Sequence, residues 1–314
     1  MTATTGNGKL DVVVNFYSAS RADDSTRELL AVSTEFSLRL LLRNPVVRST
    51  VVVDGSATPC SVIAAICARL HVGYLHAGRE LNFVDAYNLG WRSLDGEYVA
   101  LMANDVLPLP LESMSMLLDW VSRPDVGCVF PYMISNRAAW DETQRPSFAH
   151  RGRTSCEPAS MTVNLNLFKR EVLERIGGLD PNYVTGFESP ILLIKIRRLG
   201  YRAVMVGNTR IMHLDSLTKV LGASSMGKAL YERDLQRFLR EFPEFASTRG
   251  IANLNFSRWP FATTPVSRSV WWAVYHLPRR LRRPASEVVM WIEPWLCHYP
   301  ARWGRADRAE PPKS

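Results

Sequence analysis

The chain has 314 residues, enough for one large domain with an appendage. Hydrophobic residues at 46 % against 22 % charged ones exclude a disordered or fibrous protein, and no apolar run reaches the roughly 18 residues that cross a bilayer. The net charge of +8 gathers at the end: from Val266 to Ser314 nine Lys/Arg face four Asp/Glu, together with five of the nine tryptophans. Charge placed this way argues against nucleic-acid binding by the main body.

Met1 to Lys9 is small and polar, so no secretory signal is expected there. Five scattered cysteines (Cys60, Cys67, Cys128, Cys156 and Cys297) never form a CxxC pair. Neither a disulfide framework nor a structural zinc site is expected, and a reducing cytoplasm is the default compartment.

Leu10–Tyr17 (LDVVVNFY) reads as a buried strand, and Thr26–Arg43 as a helix with leucines at helical spacing. Ser49–Val53 is a second strand, halted by Asp54-Gly55-Ser56. A helix over 60–70, a short strand over 71–75, a helix over 82–93 and a strand over 97–103 follow, the last running into Asn104-Asp105. Residues 111–121 read as helix and 127–133 as strand. The polar stretch 136–160 reads as a long loop over the site. Beyond it come a strand over 161–168, helices over 169–176 and 190–199, a strand from 201 leading to His213, and an amphipathic helix over 225–242. Alternation of this kind implies right-handed βαβ crossovers and a mostly parallel sheet with helices on both faces. In such folds ligands sit beyond the carboxyl ends of the strands.

Several chemistries are excluded by absent motifs. No glycine lies between Lys9 and Asp54, so no G-x-G-x-x-G follows the first strand, and neither GxxxxGK[ST] nor G-x-S-x-G occurs. What remains is carboxylates at strand ends. Asp54 can accept hydrogen bonds from ribose hydroxyls or a base edge, or it can close an Asx turn. Asp105 needs compensation for its burial, which a divalent cation bridging to a diphosphate, a helix N-cap or a salt bridge would supply.

Four stretches carry a family resemblance: VVVDGS (51–56), LNFVDAYNLGWRSLDGEYVALMANDVLP (81–108), VNLNLFKREVLERIGGLDPNYVTGFESP (163–190) and RRLGYRAVMVGNTRIMHLDS (197–216). In this order they resemble the family 2 glycosyltransferases, inverting enzymes of the GT-A fold that use nucleotide-sugar donors. The resemblance covers about residues 10–216 and implies a GT-A Rossmann-like sheet in a domain of residues 1–222, while composition makes 223–314 a helical, Trp/Arg-rich extension. It implies Asp105 as a metal ligand, His213 (beside Asp215) as a second, and Mn²⁺, with Mg²⁺ as the alternative, as the cation. Donor contacts are expected from Ser18, Asp54, Arg79, Asn82 and Asn104. Arg79 has a solvated surface charge as its competing reading.

Two positions depart from the family pattern. The first carboxylate of its Asp-x-Asp is Ala103 here, and its Glu-Asp pair is Glu188-Ser189. Inverting transfer needs a carboxylate to take the acceptor hydroxyl's proton, so Glu188 is the expected base, although a charge at a helix N-terminus would explain it too. The tail places Trp271-Trp272, Arg279-Arg280-Leu281-Arg282-Arg283, and Val288, Ile292, Trp295 and Tyr299 at helical spacing. It suits an interfacial helix on anionic lipid, or a cap on the catalytic domain. The expected function is transfer of a hexosyl or deoxyhexosyl group to a glycan or lipid-linked acceptor of the cell envelope, at the cytoplasmic face of the membrane. A catalytically silent relative that binds donor or membrane is the alternative. A nucleotidyltransferase would want glycines in Ser18-Ala19-Ser20-Arg21, and they are absent.

Overall fold

A computed structural model describes residues 9–18, 24–108, 112–135, 163–184, 187–213 and 228–243, with a few single positions beyond. The predicted loop over 136–160 and nearly all of the tail lie outside the described residues. Among the described residues no helix is long and apolar enough to cross a membrane.

Among the described residues the sheet has eight strands, β1 (Leu10–Phe16), β2 (Val47–Asp54), β3 (Gly73–His76), β4 (Tyr98–Ala103), β5 (Val106–Leu107), β6 (Val126–Ser135), β7 (Leu165–Lys169) and β8 (Arg202–His213). Their spatial order is β3-β2-β1-β4-β7-β6-β8-β5. Strands β1 to β4 pair in parallel, as do β6 and β8. Strand β7 runs against both β4 and β6, and β5 runs against β8. The sheet is thus mostly parallel, as the alternation predicts, with two reversals that hydrophobic periodicity does not encode.

Helices α1 (Asp24–Leu41), α2 (Ser61–Leu70) and α4 (Glu112–Val121) cover one face. Helices α3 (Phe83–Arg92), α5 (Arg170–Ile176) and α6 (Glu188–Arg198) cover the other. Alternate residues of β1 show the division. Val12, Val14 and Phe16 enter the α1/α2/α4 core and Val13 the opposite one, as a two-residue period requires. A third, smaller core joins α6 to α7 (Lys228–Glu241) through Tyr183, Phe187, Ile191, Phe238 and Phe242. Helix α7 is therefore packed on the domain.

Two features of the family-like helix have plain packing reasons. A Cβ on Gly90 would lie 2.2 Å from Val13 Cγ1, so α3 rests on β1 through a bare backbone. Asn88 is buried and holds both backbone groups of Leu179, donating to its carbonyl at 2.7 Å and accepting its N–H at 3.0 Å. Trp91 Nε1 donates to the same Asn88 oxygen at 3.0 Å. Gly178, at φ +80°, passes so close that a Cβ there would meet that oxygen at 2.3 Å. Thus α3 and the turn before α6 form one rigid unit.

Candidate active site

The candidate site lies along the carboxyl ends of the parallel strands, and its two halves are built differently. At the ends of β1 to β3 the polar groups bond to one another. Asp54 is fully buried. Its Oδ1 accepts the Ser56 N–H at 3.0 Å, an Asx turn, and its Oδ2 accepts the Cys60 N–H at 2.8 Å and the Tyr74 hydroxyl at 2.7 Å. Burial, and then the bond to Asp54, push the Tyr74 phenol well above its usual range.

Ser18 is buried and tied to Ser56, which accepts its N–H at 3.0 Å and lies hydroxyl to hydroxyl at 3.2 Å. His76 Nδ1 accepts the Gly78 N–H at 3.0 Å, so the ring proton sits on Nε2, 2.9 Å from the Ser56 carbonyl it donates to. Tyr17 donates to Glu80, and burial first, then that bond, push its phenol up to about 12. Arg79 is exposed and, among the described residues, reaches the Glu80 carbonyl at 3.4 Å. Asn82 is the N-cap of α3, accepting the Asp85 N–H at 2.9 Å and donating to the Asp85 carboxylate at 2.9 Å.

The other half forms where β4 ends and the chain reverses into β5. The antiparallel pairing of Val106 with His213 brings the end of β8 beside Asp105. His213 Nε2 stands 3.2 Å from Asp105 Oδ1, with 15 % and 7 % of the two side chains exposed. Strand β8 reaches this point because its register with β6 shifts at Pro131/Tyr132, where proline offers no N–H to the ladder. The reversal itself is held by α1: Asn104 Nδ2 donates to Thr34 Oγ1 at 3.2 Å, and the Ser37 hydroxyl donates to the Val106 carbonyl. Asn104 is thereby engaged with the helix. Tyr87 of α3 is buried beneath, and burial, then the charge of Asp105, raise its phenol far above normal.

Glu188 opens α6 and is nearly buried, and Ser189 Oγ donates to its Oε1 at 3.2 Å. Asp105 and His213 are therefore brought into contact by the fold. Ser18 and Asp54 share the loop at the ends of β1 and β2, Arg79 and Asn82 border α3, and Glu188 stands on a separate element. Asp215 lies outside the described residues. Sequence reasoning missed His76, Tyr74 and Glu80, the partner of Tyr17, which no motif marks. It also missed Asn15, in register with Val53 and Ala103 at the end of β1. The side-chain oxygen of Asn15 is buried without a partner among the described residues.

Two residues suit a divalent cation. Ligand atoms at about 2.1 Å from one octahedral ion stand about 3 Å apart when adjacent, close to the Asp105–His213 separation. Carboxylate oxygen with imidazole nitrogen is a set that Mn²⁺ accepts readily. Among the described residues no third His, Cys, Asp or Glu completes a cluster.

A doubly covered sheet with one reversed inner strand and its polar site at the carboxyl edge defines the class: this is a GT-A fold. Among solved structures the chain is similar to the mannosyltransferase PcManGT from Pyrobaculum calidifontis, in complex with GDP-Man and Mn²⁺. The TM-score is 0.50 at 18 % identity, over 92 % of this chain and 86 % of that one. It is also similar to GalNAc-T7 with UDP, GalNAc and Mn²⁺, at TM-score 0.51 and 14 % identity. That match covers 93 % of this chain and 58 % of GalNAc-T7. No protein-family model matches the sequence, and no curated protein matches it. At such identities the likeness establishes the fold.

Proposed function

We propose that the protein is a glycosyltransferase of the family 2 type, inverting and cation-assisted. It would move a hexosyl or deoxyhexosyl group from a nucleoside diphosphate sugar to a glycan or lipid-linked acceptor of the cell envelope. One observation carries this reading. The Asp105–His213 pair, 3.2 Å apart, stands at the carboxyl edge of a fold shared with glycosyltransferases solved with nucleotide ligands and Mn²⁺. Asp105 and His213 would hold Mn²⁺, or Mg²⁺ in its place, and the bound cation supplies positive charge to the departing diphosphate.

The chain's own residues divide the rest. The loop Asp54–Ser56 with Ser18, stiffened by its internal bonds, offers a preformed wall for the nucleoside, with Arg79 and Asn82 at its rim for diphosphate and ribose. Asn104 keeps the reversal that carries Asp105 in place through Thr34. Glu188 takes the acceptor hydroxyl's proton as that oxygen attacks the anomeric carbon and the bond to the diphosphate breaks. The Ser189 hydroxyl, already donating to Glu188, orients that carboxylate.

The test is thermal unfolding with GDP, UDP and their sugars, with and without Mn²⁺. A ligand at 100 times its dissociation constant stabilises by about 2.7 kcal/mol. A Mn²⁺-dependent upward shift with one nucleotide family is expected, and Asp105→Asn should abolish it while leaving the unliganded transition in place. A full shift in that variant refutes the metal assignment.

Ala103 and Ser189 favour a second reading, a silent relative that binds donor without turning it over. It predicts the same nucleotide shift in a protein that transfers no sugar. The basic, Trp-rich tail supports a cytoplasmic protein peripheral to an anionic membrane. Binding to anionic vesicles should weaken in high salt and on replacing Arg279, Arg280, Arg282 and Arg283 by Gln. Salt-independent binding, or none, removes the membrane from the proposal.

A further inference from the structure

The helix α7 buries a carboxylate where an exposed helix has no need of one. Asp234 is 0 % exposed, between Arg233 and Leu235 on a helix whose residues 229–233 are all exposed. Its Oδ2 accepts the N–H of Val184, fifty residues earlier, at 2.9 Å. Its Oδ1 receives both Nε and Nη2 of Arg233, at 3.0 and 2.7 Å. The guanidinium is more than half exposed, so it compensates the buried charge while remaining hydrated, and an ionised acceptor makes the bond to Val184 a strong one. A buried carboxylate is costly. Simple adhesion of α7 is already provided by Phe238 and Phe242, stacked at 4.9 Å in an apolar core.

Val184 and Phe187 flank the approach to Glu188, and α7 holds both. The Phe187 ring lies 5.3 Å from those of Tyr231 and Phe238. Phe187 also occupies the N-cap position of α6, so the contacts of its ring bear on where that helix starts. Glu188 is the next residue.

We propose that α7 clamps the segment carrying Glu188, with Asp234 as the positioning residue that fixes it through the Val184 amide. The inference rests on Glu188 being the base of the reaction proposed above. The clamp belongs to the acceptor side of the site. Its loss should leave donor binding intact and displace the base, and misplacement of a reacting group by about 1 Å costs up to roughly 10²-fold in rate.

The experiment compares Asp234→Ala, Asp234→Asn and Phe238→Leu in the full chain. Readouts are steady-state transfer, Mn²⁺-dependent thermal shift with GDP or UDP, and amide hydrogen exchange of the peptide over 183–188. In Asp234→Ala, kcat should fall about 10- to 100-fold with donor KM and the nucleotide shift unchanged, and exchange over 183–188 should quicken. Asp234→Asn keeps an acceptor for Val184 and should recover most of the loss. Phe238→Leu keeps the apolar core, loses the ring contact with Phe187, and should fall between the two. Unchanged kcat or unchanged exchange over 183–188 in Asp234→Ala overturns the clamp, as does a matching loss of nucleotide shift. If Asp234→Ala does not fold, equal kcat in Phe238→Leu and wild type has the same force. If the wild type transfers no sugar, the proposed function fails instead, and the exchange data decide the clamp alone.

Discussion

Two buried carboxylates at opposite edges of one sheet illustrate how the same side chain serves stability or chemistry. Asp11, at the start of β1, is 0 % exposed. It receives Arg48 in a fork, Nε to Oδ1 at 2.8 Å and Nη2 to Oδ2 at 2.6 Å, with the Gly96 N–H adding 2.7 Å to Oδ2. Arg48 also pairs with Asp95. Asp105, past the end of β4, is also buried but faces His213, a partner that is charged only when protonated. A permanent cation locks the first carboxylate, whereas the second is set beside a neutral-capable ligand atom. The edge where the parallel strands begin is a clasp, and the edge where they end carries the candidate site.

Breaking the clasp should have the largest effect. Asp11→Ala leaves the buried Gly96 N–H and one face of a part-buried guanidinium without their acceptor and should cost about 1–3 kcal/mol of stability, with nucleotide binding retained in the folded fraction. Asp105→Asn should behave in the opposite sense, losing the Mn²⁺ response and little stability. Denaturant midpoints for the two variants, measured side by side, decide it. Equal losses of stability would show that Asp105 is also a structural clasp.

Within the site edge, Glu188→Gln should lower kcat by roughly 10²-fold or more with donor affinity little changed, the signature of a lost general base. Ser189→Asp should add little activity to the wild type. If Glu188→Gln turns over normally, the base lies elsewhere, and Asp141 or Glu142 become the next residues to replace. A silent relative would give no turnover in either protein, and Ser189→Asp would then be the variant with a chance of gaining it.

How far the sequence foretold these edges depends on what each signal encodes. Runs such as VVVNF and VVVD announced buried strands, and the leucine spacing announced α1. Strand direction has no periodicity, so the reversal of β7 was not legible. Nor was β5, two residues whose pairing with β8 brings His213 to Asp105. That contact was legible only through family resemblance. Asp54 offered both a nucleotide contact and an Asx turn, and the turn is now visible because Ser56 and Cys60 present their amides to it. Asp234 sat among charged residues of an amphipathic helix, where pattern alone predicts solvent, and its burial follows from one long-range bond to Val184. Asn88 and Gly90 lie in one of the stretches that carry the resemblance, and their packing on Leu179 and Val13 gives each a structural reason.

The smallest expected effect tests how closed the proposed nucleoside wall is. The Tyr17 phenol is pushed from its ordinary 10.0 to about 12, first by burial and then by its bond to Glu80. The folded protein thus holds this proton more tightly than the unfolded chain. The stabilisation is fully present below pH 10 and is lost as pH rises through about 12. Tyr17→Phe should therefore show a shallower decline in stability over that alkaline window than the wild type. Glu80→Gln, which removes the carboxylate and keeps the burial, should bring the phenolate titration only part of the way back towards 10.0. If Glu80→Gln restores the ordinary value completely, burial is not the main cause, and the loop formed by the ends of β1 to β3 is wetter than its internal bonds imply. If neither variant changes the alkaline profile, the Tyr17–Glu80 contact is open in solution, and the wall has a gap where its rim meets Arg79.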